Sequence, residues 1–237
     1  MGSHTRKTVG ILGGMGPEAT IDLFTKIVRS TPASRDQDHL RIIIDNNPLI
    51  PDRQDAILEG GPSPGPLLTE TARNLEAAGA DFIVIPCNTA HYWIGEIRSA
   101  VKIPVVDMIE ETAGYVARSY PSLRTIGILA ATGTVKSGLY QQRLLQVGVR
   151  TVSPSDTDQD ALMRAIYAVK AGDISKSSAV AIQIGENLVA AGVEAIIAGC
   201  TEIPLIIRAG SLSIPIIDAT EVLAKRAVEI ARESSTL

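Results

Sequence analysis

Aromatic side chains are scarce in this 237-residue chain, at 3% against 45% apolar residues in all, so a core must be built from Ile, Leu, Val and Ala. The length suits one large domain or two small ones. Clusters of Lys and Arg are missing as well. A formal charge of −4 is spread along the chain, with no basic run and no aromatic-basic alternation, which excludes nucleic acid and anionic membrane surfaces as partners. Apolar runs such as Ile42 to Ile44 and Ala195 to Ala198 are far shorter than the ~18–20 residues of a membrane span. No secretory leader is read at the start, where Met1-Gly2-Ser3-His4 has the character of an expression-tag remnant. Two cysteines cannot make a disulfide framework, so the chain reads as cytoplasmic with two free thiols. With His4 set aside only His39 and His91 remain, and without Cys-x-x-Cys or His-Glu-x-x-His no metal site is expected.

What the chain does contain is an alternation of short apolar runs with helical stretches, the pattern of an α/β fold with parallel sheets. Strands are predicted at Thr8 to Leu12, Leu40 to Asp45, Phe82 to Ile85 and Pro104 to Asp107 in the first half. The second half predicts Thr125 to Ala130, Arg150 to Ser153, Ala195 to Ala198 and Ile214 to Ile217. An internal repeat ties the halves together. Thr8-Val9-Gly10-Ile11-Leu12 recurs as Thr125-Ile126-Gly127-Ile128-Leu129, and Ala77-Ala78-Gly79-Ala80-Asp81 through Pro86-Cys87-Asn88-Thr89 recurs as Ala190-Ala191-Gly192-Val193-Glu194 through Gly199-Cys200-Thr201-Glu202. Ile103-Pro104-Val105-Val106-Asp107 recurs as Ile214-Pro215-Ile216-Ile217-Asp218. Any two βα units share apolar letters and glycines, because strands favour Val and Ile and helix ends favour Gly. That does not explain why the two cysteines fall at equivalent positions, each just past the carboxyl end of a buried strand, where open α/β sheets bind ligands. Halves related by an approximate two-fold axis would present both thiols to one cleft.

Two opposed thiols suit stereoinversion at a carbon next to a carboxylate. One thiolate removes the proton from one face and one thiol returns a proton to the other. A free cysteine titrates at ~8.5, so the base needs neighbouring donors, for which Asn88 and Thr89 stand beside Cys87 and Thr201 beside Cys200. Helices beginning just after each cysteine would add positive dipole ends. Taken singly, each cysteine is equally well an inert core residue.

Pro86-Cys87-Asn88-Thr89-Ala90-His91 and Gly199-Cys200-Thr201-Glu202-Ile203-Pro204-Leu205 resemble the two cysteine signatures of the aspartate/glutamate racemases. The resemblance covers about residues 8–230, and it extends to Gly10 through Thr20, to Asn46-Asn47-Pro48-Leu49-Ile50-Pro51-Asp52-Arg53 and to Ala165 through Gly172. Glutamate racemases usually carry His after the second Cys-Thr; Glu202 in that place looks like the aspartate racemase branch. The resemblance implies two similar α/β domains with four-stranded parallel sheets and the active site in the cleft between them. Residues 1–108 with 219–237 would form the domain carrying Cys87, and 109–218 the domain carrying Cys200. The last helix, near Glu221 to Ser234, would cross back to the first domain, and that near Ile109 to Ser119 would serve the second. The implied reaction interconverts L- and D-aspartate, or also glutamate, without metal, nucleotide or pyridoxal phosphate, in a homodimer. Cys200 would serve the L-substrate and Cys87 the D-substrate. Arg53 and Lys170 map onto the residues that bind substrate carboxylate, a role that suits the planar fork of Arg and the point charge of Lys. On residue type alone, both read equally as solvated surface cations.

Rival readings remain. Gly14-Met15-Gly16-Pro17-Glu18-Ala19 fits a dinucleotide-binding turn, but Pro17 removes an amide donor and Asp45 lies too far on to meet a ribose. Its repeat counterpart, Ala130-Ala131-Thr132-Gly133-Thr134, carries hydroxyls instead. Both loops are read as carboxylate cradles, with Gly14 and Met15 in one and Thr132 and Thr134 in the other. A two-domain small-ligand-binding protein would share the fold but has no need of paired thiols. A pyridoxal-phosphate enzyme lacks a recognisable Schiff-base lysine here. His91 either influences Cys87 or is structural, and Glu202 either meets a substrate ammonium or caps a helix. Asp107 and Asp218 are read as helix caps, and Gly60-Gly61-Pro62-Ser63-Pro64-Gly65-Pro66 as a lid or a connector.

Overall fold

The structure is a computed structural model that describes residues 6–173, 177–208 and 210–233. The tag remnant at 1–4 and Ser234 lie outside these residues. The first part of the chain runs β1 (Val9–Gly13), α1 (Pro17–Ser30), β2 (Ile42–Asn46), α2 (Arg53–Leu58), α3 (Gly65–Ala77), β3 (Phe82–Val84), α4 (Ile94–Ala100) and α5 (Met108–Ser119). It continues with β4 (Thr125–Leu129), α6 (Thr132–Lys136), α7 (Leu139–Gln146), β5 (Arg150–Val152), α8 (Asp156–Lys170), α9 (Ser177–Ala190), β6 (Ala195–Ala198), α10 (Ile203–Ile206), β7 (Ile216–Asp218) and α11 (Ala219–Arg232). Among the described residues no helix is long and apolar enough to cross a membrane.

Two sheets result, ordered β2-β1-β3 and β5-β4-β6-β7, and every pairing in them is parallel. The repeated Thr-x-Gly-Ile-Leu segments become β1 and β4, which each take a neighbour on both sides. Every residue of β1 and of β6 is buried, as parallel strands covered on both faces must be, whereas the edge strand β2 is half exposed. The glycine in the middle of each repeated segment has a steric cause. A Cβ on Gly10 would stand 2.9 Å from the Ala80 Cβ, and one on Gly127 would stand 3.1 Å from both Ile196 and Leu188. Only a residue without a side chain lets these neighbours close on the central strand.

The expected fourth strand of the first sheet, Pro104 to Asp107, is reduced to a single bridge between Ile83 and Val105. Its two ladder bonds form, Ile83 N–H to the Pro104 carbonyl and Val106 N–H to the Ile83 carbonyl, each at 2.9 Å. Extension is closed off on one side because Pro104 has no N–H to donate to the next rung and on the other because α5 begins at Met108, while the Arg98 guanidinium takes the outward-facing Val105 carbonyl at 3.0 and 3.2 Å. The first sheet thus has three strands and a bridged segment, and the second has four strands.

Contacts divide the chain into two compact units: Met1–Asp52, Pro62–Met108 and Thr220–Leu237 in one, and Arg53–Gly61 with Ile109–Ala219 in the other. In the first unit, Lys7 N–H donates to the Ala231 carbonyl at 3.0 Å and Arg232 to the Pro32 carbonyl at 3.3 Å, which fixes the end of α11 there. In the second, α2 packs on α6, and the Gly133 N–H donates to Gln54 Oε1 at 2.5 Å. The glycine- and proline-rich segment that starts at Gly60 therefore carries the chain from one unit to the other. The core of the second unit gathers Leu162, Ile166 and Val169 of α8 with Ile184 and Leu188 of α9 and Ile196 and Ala198 of β6.

Helix α8 starts where the Ser155 hydroxyl accepts the Asp158 N–H at 3.2 Å, with Asp156 and Asp158 in its first turn and Lys170 in its last. These charges match the helix dipole at both ends. Ser155→Ala should cost about 1 kcal/mol and lower the unfolding midpoint by roughly 2–4 °C. Calorimetry checks this, and an unchanged midpoint would show that the cap does not hold the helix start.

Candidate active site

In the first unit β3 ends at Val84, and the chain turns through Pro86 with the Cys87 N–H bonded to the Ile85 carbonyl at 2.8 Å. A 3-10 helix, Thr89–Trp93, follows directly, so Cys87, Asn88 and Thr89 sit buried at the carboxyl end of the strand. His91 is structural. Its Nδ1 lies 2.8 Å from the Cys87 carbonyl, and its Nε2 accepts the Met108 N–H at 3.0 Å. A nitrogen that accepts from an amide carries no proton, so Nδ1 holds the ring hydrogen and donates it to Cys87. The ring thereby ties the cysteine turn to the start of α5. Burial pushes its pKa below the ordinary value, and the Asp107 carboxylate opposes this only in part.

Gly14, at φ +99°, turns the chain beyond β1, and a Cβ there would meet the Asn47 backbone at 2.4 Å. Its amide donates to the Thr20 hydroxyl at 3.0 Å. The expectation that this amide cradles a carboxylate gives way to an internal role, closing the loop onto α1. Met15 beside it is buried.

The second unit holds Arg53, Thr132, Thr134, Lys170, Cys200, Thr201 and Glu202. Cys200 follows Gly199, whose N–H donates to the Leu129 carbonyl of β4 at 2.8 Å. Its thiol donates to Glu202 Oε2 at 2.9 Å, and the Thr201 hydroxyl donates to the same oxygen at 3.2 Å. Lys170 Nζ stands 3.3 Å from Glu202 Oε1. Thr201 therefore serves the carboxylate rather than the sulfur, and Glu202, although at the N-cap position of α10, makes no capping bond with its side chain. Burial first, and the Glu202 charge second, push the Cys200 thiol well above its ordinary range, with Lys170 pulling the other way. The helical turn after Cys200 is the four-residue α10, too short for the expected dipole effect, whereas the 3-10 turn after Cys87 runs directly into α4.

Helix α8 forms a wall along this group. Gln159 Nε2 donates to the Ala130 carbonyl at 3.0 Å and to the Thr132 hydroxyl at 3.2 Å, and the Thr132 N–H meets the Met163 sulfur at 3.2 Å. Lys170, three turns further along the same stripe and about 16 Å from Gln159 along the axis, reaches Glu202. One helix thus spans from the loop after β4 to the turn after β6. Arg53, buried at the start of α2, enters the unit beside Gln54, which occupies the Gly133 amide. Gln54, Gln159 and Met163 were not singled out in the sequence. The spacing of Gln159 and Met163 from Lys170 on an amphipathic helix was the signal available for those two.

The profile of the Asp/Glu/hydantoin racemase family matches residues 12–227. The chain belongs to that family. It is accordingly an isomerase of the racemase class. It is similar to the Picrophilus torridus aspartate racemase, with 37% identity and a TM-score of 0.86 over 95% of this chain and 94% of that one. An aspartate racemase homologue from Pyrococcus horikoshii is similar at 27% identity and a TM-score of 0.77, covering 96% of this chain and all (100%) of that chain. The broad specificity amino-acid racemase RacX of Bacillus subtilis is 30% identical over 93% of this chain and 96% of its own length.

The His91 geometry in this racemase-family chain has a measurable consequence. The folded ring stays neutral, while an unfolded ring takes up a proton below about pH 6.5, so the unfolded state binds more protons there and stability falls as the pH drops through that value. His91→Leu should lose this acid-side component and cost about 1–3 kcal/mol at neutral pH through the two hydrogen bonds. Urea unfolding of both proteins between pH 7.5 and 5 checks it. Equal slopes would mean that the ring is not held neutral.

Proposed function

We propose that this chain interconverts L- and D-aspartate, with glutamate as the alternative acidic substrate, by a two-base mechanism in which Cys87 and Cys200 act on opposite faces of the α-carbon. The observation that carries this reading is the equivalence of the two cysteines. Both are free and buried, and each stands just past the carboxyl end of a parallel strand, β3 in one unit and β6 in the other, that pairs with a repeated central strand. One sulfur, as thiolate, takes the α-proton; the carbanion, stabilised toward the enolate by the adjacent carboxylate, takes a proton from the other sulfur. The two sulfurs then hold exchanged protonation states, and the reverse reaction restores them. Similarity to aspartate racemases and to a broad specificity amino-acid racemase supports an amino-acid substrate.

In this reading Arg53 and Lys170 bind the side-chain carboxylate, and Met15, Asn88, Thr89, Thr132, Thr134, Thr201 and Glu202 line the substrate, with Gly14 shaping its loop. Domains of 1–108 with 219–237 and 109–218, a homodimer and a cytoplasmic setting complete the proposal. One methylene separates the two acidic substrates, a difference worth only about 1–3 kcal/mol in a pocket, so specificity is a matter for kinetics.

Purified protein incubated with L-aspartate in heavy water, with nothing added, should lose optical activity and gain deuterium at the α-carbon. Binding without either change would instead favour the ligand-binding alternative. Cys87→Ser and Cys200→Ser should each cut racemisation in both directions by about 100- to 10,000-fold, since a serine hydroxyl is too weak an acid to stand in for the thiol. With Cys200 serving L-substrate and Cys87 serving D-substrate, Cys87→Ser should still exchange the α-proton of L-aspartate, and Cys200→Ser that of D-aspartate. Equal exchange of both enantiomers by both variants would defeat the two-thiol reading. Arg53→Lys keeps the charge but loses the fork, and a raised KM is expected; unaltered kinetics would remove Arg53 from the substrate site.

A further inference from the structure

We infer that Glu202 keeps Cys200 in its protonated, proton-donating form, so that the two thiols are not equivalent in the resting protein. The inference takes its catalytic meaning from the proposed two-thiol reaction, but it stands on the contacts of one side chain. The repeat aligns Cys87-Asn88-Thr89 with Cys200-Thr201-Glu202, so the first unit carries a neutral Thr89 where the second carries a carboxylate. Glu202 Oε1 faces the Lys170 ammonium at 3.3 Å, and Oε2 faces the Thr201 hydroxyl at 3.2 Å and the Cys200 sulfur at 2.9 Å. A carboxylate so supplied with donors can only accept, so the hydrogen between Sγ and Oε2 belongs to sulfur.

Ionising Cys200 in this arrangement would set a thiolate against a carboxylate at hydrogen-bond distance in a buried site. Glu202 on its own turn and Lys170 from α8 are the charged groups facing the sulfur, while Leu162, Ile166, Ile203 and Ile206 belong to the apolar cluster around it. Lys170 offsets part of the repulsion while its ammonium is paired with Glu202 Oε1 at 3.3 Å. Burial and Glu202 together outweigh it, and the thiol is held up. Cys200 therefore enters the reaction as the acid, which in the two-base reading leaves the base role in that turnover to the other thiol. With Cys87 assigned to D-substrate, Cys200 stands in place as the proton donor for D-aspartate, and turnover of L-aspartate starts from the form in which Cys200 has already given up its proton.

The test titrates Cys200 alone in the full-length Cys87→Ser protein, by its rate of alkylation with iodoacetamide across pH and by thiolate absorbance. Adding Glu202→Gln should move the midpoint down by at least one pH unit, a tenfold gain in thiolate at fixed pH, and adding Lys170→Met should move it up. Glu202→Thr, which installs the residue of the equivalent position, should act like Glu202→Gln and guards against a misfolded variant; circular dichroism verifies both. A midpoint that stays in place or rises in folded Glu202→Gln and Glu202→Thr would overturn the inference. The titration needs no turnover, so failure of the racemase reading, seen in heavy water, is separable from failure of this one.

Discussion

The constraint on which the rest depends is the parallel pairing of every strand. Parallel strands share a direction, so the turns that leave their carboxyl ends collect along one edge of each sheet. In the first unit this brings the loop after β1, with Gly14 and Met15, next to the turn after β3, with Cys87. In the second it brings Thr132, after β4, next to Cys200, after β6. No side-chain recognition is needed for this convergence. It follows once Gly10 and Gly127 let neighbouring segments close on β1 and β4, because those two strands pair directly with β3 and β6.

Most of the strand pattern was legible because it rests on backbone periodicity and on a repeat, two signals that one sequence carries by itself. The repeat also singled out Cys87 and Cys200. Legibility failed where a side chain chooses between partners. Thr201 lies one bond from Cys200 in the chain yet gives its hydrogen to Glu202, and Gly14 N–H turns to Thr20 instead of remaining a loop donor. Gln54 is invisible in sequence as a site residue, since its tie to Gly133 depends on where α2 packs. The segment Pro104 to Asp107 reads as a strand by composition, but Pro104 has no N–H for a further rung and α5 takes over at Met108, so a single bridge is all that forms.

Helix α8 shows how a site can be assembled from a single element without a motif. Its buried stripe packs Leu162, Ile166 and Val169 into the core, and the same periodicity places Gln159 against the loop after β4 and Lys170 against the turn after β6. The spacing between those two polar ends is set by helix rise, so the distance from Thr132 to Glu202 is tied to hydrophobic packing along the helix. A change in the core of this unit is therefore transmitted to both polar contacts together.

The two cysteine turns, alike in sequence, are anchored by different devices, and the difference bears on chemistry. Beside Cys87 the polar anchor is His91, a neutral ring that donates to the cysteine carbonyl and accepts from the Met108 amide. Its grip is on the backbone. Beside Cys200 the counterpart of His91 is Pro204, which has no side-chain donor and lies in the first turn of the short α10, while Ile203 N–H closes the turn on the Cys200 carbonyl at 3.0 Å. The polar anchor there is Glu202, and it grips the sulfur itself. A neutral anchor on the backbone adds no net charge beside its thiol, whereas a carboxylate on sulfur adds a negative one. The repeated βα framework thus gives the two thiols equivalent places, while the two residues after each one set a carboxylate against the Cys200 sulfur and supply none from the Cys87 turn.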